Sequence, residues 1–231
     1  MLYVMEKLKI DFTDNNSVND SIVNLSNLIA NDFVLKINDS IYQIVDFEFY
    51  VHSKKHFDDP FTHKHIQQLK CGTLYLHPSG VDITCGDGFN YGGILLRSIV
   101  KLHSKEENQI GLVKQFEGPL IVATELFSNL NPLNGELNEI SLIRRSDIFG
   151  DIVSMPVQKV LSTSRVGLKR KEGDLKDEYF NLKSRFIAVL TRNSVFKQSI
   201  KGFERLLLEN TDDKSFTKAD ADLLAGYKIP I

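Results

Sequence analysis

Residues 41–50, IYQIVDFEFY, alternate in a pattern that predicts a β-strand with one chemically useful face. One face is predicted to carry Val45, Phe47 and Phe49, and the other to carry Ile44, Asp46, Glu48 and Tyr50. Glu48 and Tyr50 therefore share a face, two residues apart. A carboxylate held beside an aromatic ring can move a proton on a flat substrate that stacks on the ring. The alternative interpretation is an ordinary strand whose polar face is solvated.

Several short motifs follow this strand in order along the chain. They are GTLYL at 72–76, GVDIT at 80–84, GGILLRSI at 92–99, Gly118-Pro119, and Arg165-Val166-Gly167, after which come a basic stretch and RFIAVL at 185–190. Together with IVDFEFY, they make the chain resemble the alkyladenine (3-methyladenine) DNA glycosylase family, as a divergent member. That family has a strand I-V-E-x-E-A-Y, then G-T-L-Y-V, a V-L-L-R-A strand, a G-P turn and a late R-V-G. The resemblance spans roughly residues 17–195.

The resemblance implies a fold and an activity. The fold is α+β, with one mixed domain over residues 1–231, a curved antiparallel sheet as its core, flanking helices, and residues 194–231 as a helical extension packed on it. The activity is that of a monofunctional DNA glycosylase, which hydrolyses the N-glycosidic bond of a damaged or modified base and leaves an abasic site. No lysine occupies the general-base position, so a Schiff-base lyase step is not expected.

The resemblance also assigns roles to individual residues. Glu48 matches the general base that activates water, and Arg97 matches the strand arginine that orients it. Val166 matches the residue whose backbone carbonyl contacts the water and the sugar. The matching substrate-pocket side chains are those of Tyr50, Tyr75, His77 and His63, with His56 as the alternative to His63.

Two departures from the family pattern predict altered base choice. The family inserts a tyrosine into the duplex from the turn after G-T-L-Y-V, but here that turn is shorter, HPSG at 77–80, and Ser79 is too small to fill a base stack. The family's pocket asparagine has no clear counterpart, because Asp82, Thr84 and Gly86 all fall nearby. A protein without a wedge is better suited to unstacked, damaged or bulky-modified bases, whose extrusion costs less.

Charge is distributed unevenly along a chain whose formal net charge is −2. Between Lys159 and Arg205 there are twelve Lys and Arg against five Asp and Glu, a local net of +7. This predicts a basic surface that holds a phosphate backbone, although a merely solvated helix face is the alternative. The predicted phosphate contacts are Arg165, Lys169, Arg170 and Lys171, with Ser79 also at the DNA.

The remaining residue types indicate no cofactor. His52, His56, His63 and His65 lie near Asp58 and Asp59, but their spacing matches no standard metal motif, and we predict no metal. Cys71 and Cys85 form neither a disulfide framework nor a zinc motif. The first residues, MLYVMEKLKIDF, are too short and too charged for a signal peptide. We therefore expect a cytoplasmic protein whose partner is DNA containing damaged or modified bases, with no membrane and no obligate protein partner.

Periodicity predicts the elements that position these residues. A helix capped by Ser17 should bury Val18, Ile22, Leu25 and Ile29. Residues 33–37 and 41–50 should form a hairpin that turns at Asn38-Asp39. Strands are predicted near 73–77, 80–85 and 93–102, a helix at 121–130, a loop at 131–151, and two helices at 194–209 and 217–227.

Two rival functions fit the same residues. A nucleic-acid-binding protein on this fold that has lost catalysis would keep the basic stretch but would not need the Glu48 and Arg97 pair. A hydrolase of free nucleosides or nucleotides would need the carboxylate but not a positive rim. The distance between Glu48 and Arg97, and the charge around any cleft, distinguish these possibilities.

Overall fold

The structure is a computed structural model that describes residues 7–105, 109–131, 133–135, 138–150, 157–169, 177–190, 206, 209–210 and 217–225. The helices are α1 (Asn15–Asn31), α2 (Pro119–Ser128), α3 (Ser146–Phe149), α4 (Asp177–Phe180) and α5 (Lys218–Ala225), with a 3₁₀ turn at Ile66–Leu69. The strands are β1 (Phe33–Ile37), β2 (Ser40–Ser53), β3 (Phe57–Asp58), β4 (Cys71–His77), β5 (Gly80–Cys85), β6 (Tyr91–Lys105), β7 (Gln109–Glu117), β8 (Ile140–Arg144), β9 (Val157–Thr163) and β10 (Arg185–Leu190). In this described part of the chain, no helix has the length and apolar character needed to cross a bilayer.

The described strands form one curled antiparallel sheet, which confirms the predicted α+β class. The long strands β2 and β6 pair along most of their length, from Ile41 opposite Leu102 to His52 opposite Tyr91. On the far side of β2 lie β1, β10 and β3, and on the far side of β6 lie β5 and β7. Strands β4, β8 and β9 extend the sheet from β5, β1 and β10. Residues of β2 and β6 are therefore adjacent near the middle of the sheet.

Helix α1 covers the sheet with the predicted apolar stripe. Val18, Ile22, Leu25 and Ile29 are all buried, as their spacing indicated. The predicted cap is wrong, because Asp14 rather than Ser17 caps the helix: the Asp14 carboxylate accepts the backbone N–H of Ser17 at 2.8 Å. Both residue types are favourable caps, and the helix begins two residues earlier than Ser17.

Strand β2 is buried on both faces, and a bulge changes which residues share a face. The pairing with β6 shifts register between Ile44 and Asp46 and again before Phe47. Ile44 consequently packs in the main core cluster with Phe47 and Phe49, whereas Val45 packs in a second cluster. The prediction that Ile44 shares a face with Glu48 is therefore wrong, because an extra residue in a strand inverts the alternation.

Several further elements differ from the predictions. The hairpin of β1 and β2, strands β4 to β6, and helix α2 lie where they were expected, within a few residues at their ends. The segment predicted as a loop at 131–151 contains β8 and α3. Strand β8 pairs with β1 over five residues, a long-range contact without a local signal. Most of the predicted helix at 194–209 lies outside the described residues.

Part of the carboxyl-terminal extension contacts the sheet. The Glu209 carboxylate accepts hydrogen bonds from the Thr163 hydroxyl and from the backbone N–H and hydroxyl of Ser164. The Asn210 amide donates to the Ser162 carbonyl at 3.1 Å. These bonds hold the end of β9, which leads directly into Arg165-Val166-Gly167.

Candidate active site

A cavity of about 570 Å³ opens where strands β2, β5 and β6 meet the loop after β9. The wall combines aromatic rings, a few polar groups and the backbone of the loop. Its lining residues are Tyr50, Phe61, His63, Gln68, His77, Ser79, Asp82, Leu95, Arg97, Pro119, Val166, Gly167, Leu168 and Lys169. Concave sites of this size and mixed lining are typical of small-molecule and nucleotide binding.

Glu48 lies directly behind this wall, and its partners are three of the lining residues. The Tyr50 hydroxyl donates to Glu48 Oε2 at 2.8 Å, and Arg97 donates to the same oxygen at 3.3 Å. The backbone N–H of Val166 donates to Glu48 Oε1 at 2.9 Å. Glu48 is fully buried. These four residues, each of which the sequence assigned to the site, therefore meet at one wall of the cavity, with Glu48 covered by the other three.

Glu48 and Arg97 belong to a buried chain of alternating charges. Arg97 Nε lies 3.7 Å from Asp46 Oδ2. Asp46 in turn accepts two hydrogen bonds from Arg185, at 2.9 and 2.7 Å. The sheet register creates this arrangement, because Asp46 pairs with Ser98 and Glu48 pairs with Leu95, with Arg97 between those partners. Two carboxylates and two guanidiniums balance in charge, which makes their burial tolerable.

Tyr50 forms the part of the wall nearest Glu48. Burial, together with the negative charge of Glu48, raises the pKa of Tyr50 well above its ordinary value, so the phenol stays protonated and donates to Glu48. The guanidinium of Arg165 lies over the Tyr50 ring, 4.6 Å from its centroid. Arg165 thus covers one face of the ring of this lining residue.

Arg165 is not a phosphate contact, which corrects the prediction made from its position in the basic stretch. Its guanidinium donates to both oxygens of Asp59, to the Phe49 carbonyl at 3.2 Å and to the Tyr179 carbonyl at 2.8 Å. The residue is 1% exposed, and Asp59 is 0% exposed. A guanidinium held in this way cannot reach a DNA backbone. It instead anchors the loop whose next residue, Val166, bonds Glu48.

A row of aromatic side chains forms a second wall. His63 and His77 line the cavity with their ring centroids 4.6 Å apart. Tyr75 does not line it, which corrects the predicted pocket role: its ring stacks on His65 at 4.6 Å and lies edge-on to His63. Burial, and then the neighbouring His77, lower the pKa of His63. The alternative candidate, His56, is absent from the lining.

Asp82 and its partners occupy the polar end of the cavity. Asp82 Oδ1 lies 2.9 Å from His77 Nε2, and Oδ2 accepts from the Gln68 amide at 3.1 Å. Of the three candidates for the family's asparagine position, Asp82 lines the cavity and Thr84 and Gly86 do not. Thr84 instead bonds Thr73 across the strand pair, and Gly86 packs against the backbone of Gln68.

The rim contains Ser79 and Lys169, both of which are exposed. The turn that carries Ser79 approaches helix α2 so closely that a Cβ on Gly80 would lie 2.7 Å from the Pro119 side chain. This contact explains why the shortened turn ends in glycine and why Pro119 reaches the cavity. Arg170 and Lys171 lie outside the described residues.

Six lining residues were not predicted from the sequence: Phe61, Gln68, Leu95, Pro119, Gly167 and Leu168. Proximity to His63, Arg97 and Val166 in the sequence could have identified Phe61, Leu95 and Leu168. Gln68 had no such signal, because it reaches the cavity from the 3₁₀ turn at Ile66–Leu69. Within the described residues, no group of three or more His, Cys, Asp or Glu side chains is placed to hold a metal ion.

Comparisons with known proteins give a similarity without an assigned activity. No protein-family model matches this chain. Over 230 residues the chain is 26% identical to an uncharacterized protein of Acanthamoeba polyphaga mimivirus, and the match covers 86% of this chain and 96% of that protein. The similarity therefore extends over most of both proteins and is not confined to the segments around the cavity.

Proposed function

We propose that this protein is a monofunctional DNA glycosylase that removes a damaged or modified base by hydrolysis of its N-glycosidic bond. The observation that carries the proposal is the buried Glu48 carboxylate, paired with Arg97 behind a cavity lined by aromatic rings. A deeply buried glutamate is costly unless it is paired, and here its partners all face one space where a substrate fits. The resemblance to alkyladenine DNA glycosylases assigns the same residues to catalysis.

The geometry supports a hydrolysis in which the proton moves through Tyr50. A water in the cavity, oriented by Arg97, attacks the anomeric carbon and gives a proton to the Tyr50 oxygen. Tyr50 passes its own proton to Glu48 Oε2, 2.8 Å away. The N-glycosidic bond breaks, and its electron pair leaves with the base; a cationic alkylated base thereby becomes neutral, whereas an uncharged base leaves as an anion and takes up a proton from solvent. The products are the free base and an abasic sugar, and Glu48 then returns its proton to solvent.

The buried carboxylate also favours the transition state electrostatically. Positive charge develops on the sugar as the bond breaks, and a nearby anion stabilises it. Arg97 reduces this effect only in part, because Asp46 shares that guanidinium at 3.7 Å. The bond from Val166 N–H holds the second Glu48 oxygen, so the carboxylate cannot rotate away from the cavity.

The cavity is large enough for an extruded nucleotide and offers flat surfaces to a base. Tyr50, Phe61 and His77 line the cavity, and stacking of a base on an aromatic ring contributes about 1–3 kcal/mol. Lys169 at the rim is placed to contact a phosphate. Ser79 offers no wedge, which favours bases that leave the duplex easily.

The test is direct. The protein is incubated with duplex DNA carrying alkylated bases and, separately, with phage-modified DNA, and abasic sites and released bases are counted. We expect both products to accumulate in equal amounts with at least one of these DNAs. Parallel reactions contain free alkylated nucleosides. Cleavage of nucleosides but not DNA supports the nucleoside hydrolase, and DNA binding without any cleavage supports the inactive binding protein.

A further inference from the structure

We propose that Asp82 selects a base that presents an amino group to the cavity, so that the substrate class is an amino-bearing base rather than a purely keto one. This inference rests on the proposed function, because it takes the cavity to be a base pocket. It concerns the polar end of the cavity, away from Glu48.

Asp82 is a carboxylate enclosed in the cavity wall. Its side chain is 3% exposed and faces the cavity together with His77 and Gln68. Within the described part of the chain, no lysine or arginine lies within ion-pair distance of the Asp82 carboxylate. The nearest basic side chain is the imidazole of His77, whose Nε2 lies 2.9 Å from Asp82 Oδ1. A buried carboxylate without a cation strongly attracts donors and positive charge.

The two neighbours of Asp82 are fixed as donors by their other contacts. The Gln68 carbonyl oxygen accepts the backbone N–H of His65 at 3.2 Å, so its amide nitrogen is the atom that faces Asp82. His77 Nδ1 accepts the backbone N–H of Ser79 at 3.3 Å, which places the His77 proton on Nε2, opposite Asp82. Neither neighbour can turn an acceptor towards the carboxylate without losing a bond.

Gly93 on β6 makes room for this arrangement. A Cβ there would lie 2.4 Å from Asp82 Oδ2 and 2.7 Å from the Gln68 amide nitrogen. The absence of a side chain at this position lets the carboxylate and the amide meet at the cavity wall. Gln68, His77 and the backbone at Gly93 therefore surround the Asp82 carboxylate and fix its position.

The Asp82 carboxylate can offer a ligand only hydrogen-bond acceptors. An ionised carboxylate has about four acceptor sites, and the two protein donors use two of them. A base with an exocyclic amino group can donate to a remaining site. A keto oxygen at the same place would face two negatively polarised oxygens. The polar end of the cavity therefore discriminates by hydrogen-bond polarity, and a mismatch is costly because the site is buried.

The experiment measures binding of free bases and does not require catalysis. The fluorescence of 2-aminopurine reports its binding to the wild-type protein, and adenine and unsubstituted purine are titrated as competitors. We expect the tighter of the two amino-bearing bases to bind about 10- to 150-fold more tightly than purine, the range for a hydrogen bond to a charged group. The same titrations are run on Asp82→Asn and on Asp87→Asn.

Asp87→Asn is the matched control, because Asp87 is a carboxylate that caps the exposed turn at 87–90 and does not line the cavity. Asp82→Asn should reduce the preference to less than about 3-fold, and Asp87→Asn should keep it. Equal binding of purine and both amino-bearing bases to wild type overturns the inference, whether or not Asp82→Asn folds. So does an unchanged preference in Asp82→Asn, or no binding of any base.

The inference and the proposed function fail in different ways. If the wild type excises bases from DNA but shows no amino preference, the role of Asp82 is wrong and the activity stands. If the preference is present and depends on Asp82, but neither DNA nor nucleosides are cleaved, the polar end of the cavity is correctly described and the glycosylase proposal fails.

Discussion

Replacement of Arg165 should destabilise the fold, because its guanidinium stabilises a buried carboxylate and does not contact DNA. Arg165→Ala removes four hydrogen bonds and leaves the fully buried Asp59 carboxylate without its cation. Breaking a buried pair in this way costs about 3–5 kcal/mol. For a chain of 231 residues, ~2 °C of melting temperature corresponds to 1 kcal/mol, so we expect Tm to fall by about 6–10 °C.

The cost should come from the unpaired charge, and a double variant tests this. Arg165→Met combined with Asp59→Leu removes both charges and fills the space with apolar atoms. We expect it to recover at least half of the stability lost in Arg165→Ala, since well-packed apolar replacements of buried ion pairs are often neutral. Lys183→Ala is the control from the same basic stretch: Lys183 is exposed, its ammonium donates to the Glu209 carbonyl, and its loss should change stability by less than about 1 kcal/mol.

The assay is thermal unfolding followed by calorimetry, with duplex binding measured on each folded variant. A Tm for Arg165→Ala within ~2 °C of the wild-type value would refute the reasoning. The reasoning would also fail if Arg165→Lys lost duplex affinity while its Tm remained unchanged, because that pattern belongs to a phosphate contact.

Three further predictions concern the cavity and its rim. Lys169→Ala should weaken binding to all duplex sequences alike and reduce the slope of log affinity against log salt by about 1, measured by titrations at several salt concentrations; an unchanged slope would exclude a phosphate contact. Tyr50→Phe keeps the ring but removes the donor to Glu48, so single-turnover excision should slow by about 10²-fold, and an unaltered rate would eliminate the proton relay. The lowered pKa of His63 means that the folded state binds fewer protons than the unfolded state below about pH 6.5, so His63 contributes stability that is lost on acidification. Unfolding curves between pH 7 and pH 5 should show this loss, and His63→Asn should reduce it; an equally steep loss in the variant would contradict it.

Local patterns predicted much of the fold because they depend on neighbours in the sequence. The apolar spacing of α1 and the Asn38-Asp39 turn are of this kind, and both elements formed as expected. Strand β8 was missed because its pairing with β1 joins residues about a hundred positions apart. The bulge near Val45 was missed because alternation alone contains no signal for an inserted residue.

The sequence predicted the site residues whose positions follow from motifs. It did not predict the roles of residues that depend on contacts with distant parts of the chain. Glu48, Arg97 and Val166 converge because β2, β6 and the loop after β9 are held in one sheet. In the sequence, Arg165 is one more cation of a basic stretch, and only its contact with Asp59, 106 residues earlier, makes it a buried anchor. Asp82 was one of three candidates, and the strand pairing of β4, β5 and β6 selects it.

The central claim is that Glu48 is the general base of an N-glycosidic hydrolysis. Glu48→Gln removes the proton acceptor, but its amide nitrogen must also face a donor, namely Val166 N–H or the Tyr50 and Arg97 pair. That mismatch costs about 1–3 kcal/mol, so the variant should remain folded with a lowered Tm. Glu139→Gln is the control, because Glu139 is an exposed carboxylate paired with Lys36 away from the cavity.

The most direct measurement is the single-turnover rate of base excision from alkylated duplex DNA, with enzyme in excess and both variants confirmed as folded at the assay temperature. We expect Glu48→Gln to excise the base about 10²- to 10⁴-fold more slowly than wild type and still to bind the duplex, whereas Glu139→Gln should match wild type. Excision by folded Glu48→Gln at the wild-type rate would contradict the role of Glu48 as general base.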